Sequence, residues 1–303
     1  MQTPERSRVP CFGVWRGDGT DLQVWTVCDG EGLRFGVGDP HGMHIHHVPV
    51  TEGQNFETAV IARLDEFVGP LGWQVAEMEL GPGEYYPRMA RPSQYKPTER
   101  ADYHPETQAL RREYVNQMGQ ISSLIQKLGE VCRYVHPEGP SLQSHGHEIR
   151  NLLILASTEV ENQWRSIFEA NGAKARTRRD YVKLQAAMRL SEYAIVCNRY
   201  PWLEPLRPFA GWSAEVGGDL RWYDAYNAVK HHREANFAQG TLEAALNAVA
   251  GCAILACAQF GARNPLHAMD GYFSLSETPR WAFTEVYVQG GDAAPVARPH
   301  PLR

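Results

Sequence analysis

The sequence predicts a small α+β module at the N-terminus followed by a mainly α-helical bundle, and three observations carry that reading. From about residue 10 to 90, Gly, aromatic and β-branched residues crowd into short runs separated by turn signals. From residue 106 onward, apolar residues recur at three- and four-residue steps. Between them the stretch from Gly81 to Pro105 holds prolines at 82, 87, 92 and 97 with no apolar period, the texture of a linker. The expected division is a module at 1–90, a Pro-rich linker at 91–105, a bundle at 106–270 and an extension at 271–303.

In the module, Phe12–Trp15, Leu22–Val27 and Leu33–Val37 read as strands, with Gly17-Asp18-Gly19 and Asp29-Gly30 as hairpin turns. Phe56, Val60, Ile61, Leu64, Phe67 and Val68 then form one helical stripe, with Asn55 as N-cap and Gly69-Pro70 as the stop. Trp73 to Leu80 alternates again as a strand. In the bundle, helices are expected from Glu106 to Val135, from Ser144 to Asn171-Gly172, from Arg178 or Asp180 to Arg199, from Trp222 to Phe237 and from Leu242 to Phe260. The second of these is apolar on more than one face: Leu152 and Leu155 lie off its main stripe, as on a central helix or one that meets a second chain. After Gly271, Phe273–Leu275 and Ala282–Val288 read as a short strand or a surface wrap, and the Pro-rich end from Gly290 is expected to be disordered.

Composition narrows the function classes. Across 303 residues, 43% hydrophobic and 10% aromatic content mark a folded globular chain, and a net charge of −5 argues against wholesale charge-driven nucleic-acid binding. The six cysteines are scattered without a CxxC pair, which with no secretory leader in view suits reduced thiols in a cytoplasmic protein. Leu242–Phe260 approaches the length of a membrane span but carries Glu243, Asn247 and Gln259 and lacks aromatic belts, so a buried bundle helix and no membrane partner are expected.

The chemistry concentrates on the Trp222 helix. Tyr223, Asn227, Lys230, His231 and Glu234 fall at i, i+4, i+7, i+8 and i+11 and share a face, while Trp222, Ala225, Tyr226 and Val229 supply the packing stripe beside it. Metal-free RNA cleavage needs a group that moves the 2′-hydroxyl proton and a cation that holds phosphate charge; His231 suits the first task, Lys230 or Arg233 the second. The same residues also read as a structural network, with Lys230 paired to Glu234 and Asn227 and His231 hydrogen-bonded within the bundle. Lys174, Arg176, Arg178, Arg179, Lys183 and Arg189, opposed only by Asp180 and interleaved with Tyr181, read as a phosphate-backbone clamp or as a solvated loop and helix start. His44 and His46, with Asp39 or Cys28 to complete a set, lack zinc-site spacing, so no metal and no cofactor is expected. His145-Gly-His147 reads as loop and N-cap chemistry.

A helical bundle of this length with Asn227-x-x-x-His231 on a polar helix resembles the HEPN superfamily of prokaryotic helical domains. The resemblance covers at most residues 106 to 262. The family motif is an Arg, four to six residues, then a His, often with a polar residue straight after the Arg; Asn227 and His231 match, and Tyr226 stands where the Arg is expected. The resemblance implies an RNA-directed protein of a toxin or antiviral defence system, acting as a metal-independent endoribonuclease and pairing as a homodimer at the motif, a surface Leu152 and Leu155 would fit. On that reading His231 transfers the proton, Lys230 and Arg233 bind phosphate, Asn227 orients, and Glu159 and Glu161 organise the site from the facing helix. The second hypothesis is a non-catalytic interaction module in which these residues lock helices together.

Overall fold

A computed structural model describes residues 9–35, 47–51, 53–105, 108–212, 220–232, 234–269, 271–291 and 294–302, with the side chains of 108, 109 and 178 left aside. In chain order the elements are β1 (Cys11–Trp15), β2 (Gln23–Cys28), β3 (Glu31–Phe35), β4 (His47–Pro49), α1 (Phe56–Phe67), β5 (Gln74–Glu77), β6 (Glu84–Tyr85), α2 (Gln108–Cys132), α3 (His147–Ala170), α4 (Arg178–Tyr181) and α5 (Lys183–Met188). They continue with β7 (Ala194–Cys197), α6 (Arg221–His231), α7 (Leu242–Phe260), α8 (Arg263–Ala268), β8 (Phe273–Glu277) and β9 (Val296–Ala297). Two compact units result. One comprises 1–85, 91–99 and 280–297, the other 86–90, 100–279 and 298–303.

The first unit is built on an antiparallel sheet of order β4-β3-β2-β1-β5. Asp29 and Gly30 both take positive φ (51° and 79°) in the two-residue loop that closes β2 on β3, the conformation whose twist matches the strands. Asn55 caps α1 by accepting from the Thr58 N–H at 2.8 Å. The α1 residues Phe56, Val60 and Leu64 bury against Val14, Trp25, Val48 and Trp73. A second cluster joins Cys11, Val24 and Met78 to Val286 and Val288, so the 280–297 segment supplies part of this unit's core. The stretch expected to link two domains is shared out: 91–99 bridges to Tyr287 through Ser93 in the first unit, while 86–90 and 100–105 belong to the second. Likewise the Pro-rich end is ordered in part, since Val296–Ala297 pairs in parallel with β6.

In the second unit α7 is the axis. Nearly every residue from Leu242 to Phe260 is buried, with α2, α3, α6 and α8 around it. The helix is long and apolar enough to cross a bilayer, and 89% of its apolar window is enclosed by the fold itself. Thr241 caps its start by accepting from the Ala244 N–H at 3.2 Å. Cys252 Sγ donates to the Ala156 carbonyl of α3 at 3.3 Å, a close approach of two helix backbones that small residues allow.

Two expected helices differ. The segment from Arg178 to Arg199 breaks into α4, α5 and the strand β7: Arg189 adopts a left-handed conformation (φ 50°) that ends α5, and β-branched Ile195 and Val196 pair with β8 instead. The helix expected to run to Phe237 stops at His231, so Glu234 leaves the shared face and lies in a turn.

Candidate functional site

The site grows from the contact of α3 with α6. Trp164 of α3 packs against Tyr223 edge-on at 5.5 Å between ring centroids, and this aromatic wedge sets how α6 is rotated. With Trp222, Tyr223, Tyr226 and Val229 buried, the Asn227, Lys230 and His231 side chains fall at the margin. Tyr223 Oη donates to Glu161 Oε1 at 2.6 Å, and Tyr226 Oη lies 3.5 Å from Oε2 of the same carboxylate. Lys230 Nζ donates to Tyr226 Oη at 2.6 Å and stands 4.8 Å from its ring centroid. A chain of hydrogen bonds thus runs from a carboxylate at the helix interface, through a tyrosine of 0% exposure, to an ammonium in solvent.

Burial and the Glu161 carboxylate push the Tyr223 phenol far above its ordinary range, so it stays a donor. The bond to Tyr226 raises Lys230 in turn and keeps it charged. His231 is exposed and closes the last turn of α6. Asn227 is half-buried beside them.

Of the other expected site residues, Glu161 joins this group and Glu159 does not. Glu159 turns to the opposite edge of α3, where it accepts from Gln163 at 3.1 Å and burial raises its carboxyl. Arg233 lies outside the described residues, as do His44, His46 and Asp39. Among the described residues no group of three or more His, Cys, Asp or Glu could hold a metal ion. Lys174, Arg176 and Arg179 are exposed and Lys183 is half-buried, while the Arg178 side chain is not described. Asp180 spends its carboxylate on the backbone N–H groups of Arg176 and Thr177 and on the Thr177 hydroxyl, which lowers its pKa. Leu152 is 1% exposed and packs within its own chain, leaving Leu155 at 42% as the open apolar residue of that pair.

Sequence reasoning passed over a second polar cluster. Arg88, buried and at φ 57°, donates through Nε to Gln259 at 2.8 Å, through Nη1 to Glu113 at 2.9 Å and through Nη2 to Gln117 at 2.8 Å. Gln259 extends the chain to Gln163, and Glu159 lies close enough to bias the guanidinium. The His104 Nε2 accepts the Arg88 N–H at 3.1 Å, and its Nδ1–H donates to the Pro105 carbonyl at 3.0 Å. Gln259 inside an otherwise apolar helix was the visible signal.

Comparison with protein-family models, with curated proteins and with solved structures finds no match.

Proposed function

We propose that the helical unit is a HEPN-like, RNA-directed module of a prokaryotic defence or toxin system that cleaves RNA without a metal. The observation that carries this reading is the 2.6 Å bond from Lys230 to Tyr226 beside the exposed His231. The family motif asks for a cation at the position Tyr226 occupies. Here the tyrosine hydroxyl holds the ammonium from one turn on, so Lys230 takes the phosphate-binding part. In the reaction the 2′-oxygen attacks phosphorus, the 2′ proton passes to the His231 imidazole, and the 5′-oxygen leaves and takes up a proton. Lys230 stabilises the charge that builds on the non-bridging oxygens. Asn227 orients the substrate, Arg233 adds a second phosphate contact, and Lys174, Arg176, Arg178, Arg179 and Lys183 hold the flanking backbone. Glu161 acts through the tyrosines and touches no substrate, and Glu159 serves the Arg88 cluster. The working form is a cytoplasmic homodimer, with Leu155 at the contact.

One observation favours the second reading, a non-catalytic interaction module: the Tyr223–Glu161 bond joins α3 to α6 as a clamp would. The two separate on His231→Ala and Lys230→Met in the full chain, assayed for RNA cleavage and urea unfolding. The His231 side chain is exposed, so that variant's unfolding midpoint should hold while cleavage is lost, whereas Lys230→Met also removes the bond to the Tyr226 hydroxyl and should lose some stability along with cleavage. Unchanged cleavage, or none by the parent protein, defeats the enzyme reading and leaves the clamp.

A further inference from the structure

The start of α3 carries features that the function above leaves unused. Its N-cap is Gly146, extended at φ 176°, with no side chain to meet the first N–H groups of a 24-residue helix. The N–H groups of His147, Glu148 and Ile149 find no acceptor among the described residues; the first intrahelical bond is Arg150 N–H to the Gly146 carbonyl at 3.0 Å. A Cβ built on Gly146 meets nothing within 4 Å, so the space over the helix end is open.

Arg150 is the independent observation. It is 6% exposed, and its Nε and Nη1 are buried without an acceptor, while Nη2 donates to Asn151 at 2.9 Å. Helical side chains lean toward the N-terminus, which carries this guanidinium back over the first turn. It sits 5.5 Å from the Phe237 ring centroid, and that same ring lies 5.0 Å from His147 and 5.8 Å from His145. The start of α7 adjoins: Leu242 N–H donates to the Ser144 carbonyl at 2.9 Å, and Thr241 bridges to His145. Two positive helix ends, a buried guanidinium and two imidazoles therefore share one corner. Among the described residues no carboxylate accepts from the Arg150 guanidinium. Glu148 lines the groove toward α2, and Glu243 accepts from Gln143 at 2.8 Å.

A cation in the first turn of a helix opposes the dipole, and buried N–H groups without acceptors are costly. A bound anion reverses both terms. We propose that the α3 N-terminus binds a phosphate group through the N–H groups of His147, Glu148 and Ile149 and the Arg150 guanidinium, with His145 and His147 at the rim. Phosphate offers one oxygen to the guanidinium while others face the helix N–H groups, the match expected of such sites. The site does not depend on the His231 reading.

The test is titration of the full chain with inorganic phosphate by calorimetry and thermal unfolding, against chloride at equal ionic strength. Phosphate should bind and raise the melting temperature where chloride does not. Arg150→Met removes the buried donors that lack an acceptor and should weaken binding about tenfold or more without lowering the phosphate-free melting temperature. Gly146→Asp supplies a capping carboxylate in the anion's place, and should raise that melting temperature while abolishing the response to phosphate. His231→Ala should bind phosphate as the parent does. Competition by a short RNA bearing a 5′-phosphate but not by its 5′-hydroxyl form would assign the group to a nucleic-acid end; equal competition would assign it to the free anion, and either sustains the site. No phosphate-specific response in the parent, or parental affinity in both Arg150→Met and Gly146→Asp, overturns the proposal.

Discussion

The Tyr223 hydroxyl of α6 donates to the Glu161 carboxylate of α3 across 2.6 Å, and both partners sit at the helix interface. A hydrogen bond to a charged acceptor contributes more than a neutral one, and removing one member leaves a half-buried carboxylate short of a donor. Tyr223→Phe should therefore cost about 1–3 kcal/mol in urea unfolding. Adding Glu161→Gln to Tyr223→Phe should cost less than the two single changes summed, since they share one bond. Additive effects would show that the bond contributes nothing on its own.

Arg88 is a different kind of anchor. Its guanidinium spans α2 and α7 and lies near the carboxyl of α3 that burial raises, so the cation and Glu159 support each other. Its ion-pair partner Glu113 is half-exposed, so the cost of losing Arg88 lies mainly in the acceptors it would strand on Gln259 and Gln117, about 1–3 kcal/mol each. Arg88→Met should cost on that scale, and Glu159→Gln in the same chain should recover part of the loss by removing the stranded charge. Measured alone, Glu159→Gln tests the sign of the titration: a carboxyl held above its ordinary value makes the native state lose stability as pH rises from about 4.5, and the amide should abolish that loss.

How much of this was legible in the sequence follows the range of the interactions. The α1 helix, its Asn55 cap, the Asp29-Gly30 hairpin and the buried α7 rest on local periodicity and turn chemistry, and each stands close to where the residues place it. The β7–β8 pair joins segments nearly eighty positions apart, so nothing within a helical window announced it. Arg88 went unnoticed because prolines 82, 87 and 92 have the texture of a linker, whereas a Pro-rich segment can also be a fixed strap when its side chains find acceptors. In the candidate site, Lys230, His231 and Asn227 share a face by spacing alone, and spacing also sets Glu159 and Glu161 on opposite edges of their helix; that Tyr226 would bond Lys230, and that Glu161 would be the carboxylate facing α6, depended on how α3 and α6 meet.

His104 should leave a mark on the pH dependence of folding. Burial holds its imidazole at about 4 against an ordinary value of 6.5, as befits a ring whose Nε2 must stay unprotonated to accept the Arg88 N–H. The unfolded chain binds this proton more tightly, so stability is full above pH 6.5, falls as pH drops toward about 4, and levels below that. The slope for one such group is at most about 1.4 kcal/mol per pH unit. His104→Gln keeps an acceptor and a donor, and should flatten that limb of the curve while leaving stability at pH 8 within about 1 kcal/mol. A limb unchanged by the substitution would place the titration elsewhere.

Gly261 and Gly119 make opposite predictions for one substitution. Gly261 ends α7 at φ 86° and ψ 148°, a conformation nearly restricted to glycine, and a Cβ there would stand 2.8 Å from the Asp102 carbonyl oxygen. That backbone cannot withdraw easily: Asp102 accepts from the Arg263 N–H at 2.8 Å and from Arg100 at 2.9 Å, and the Ala262 N–H bonds the Ala101 carbonyl at 3.1 Å. Strain and overlap together put Gly261→Ala at about 2–4 kcal/mol of destabilisation. Gly119 lies on the exposed face of α2 with nothing within 4 Å of a built Cβ, and Gly119→Ala should stabilise by about 0.5–1 kcal/mol through helix propensity. Urea unfolding of the two variants checks both signs, and a neutral Gly261→Ala would mean that the start of the 100–105 segment yields rather than bracing the end of α7.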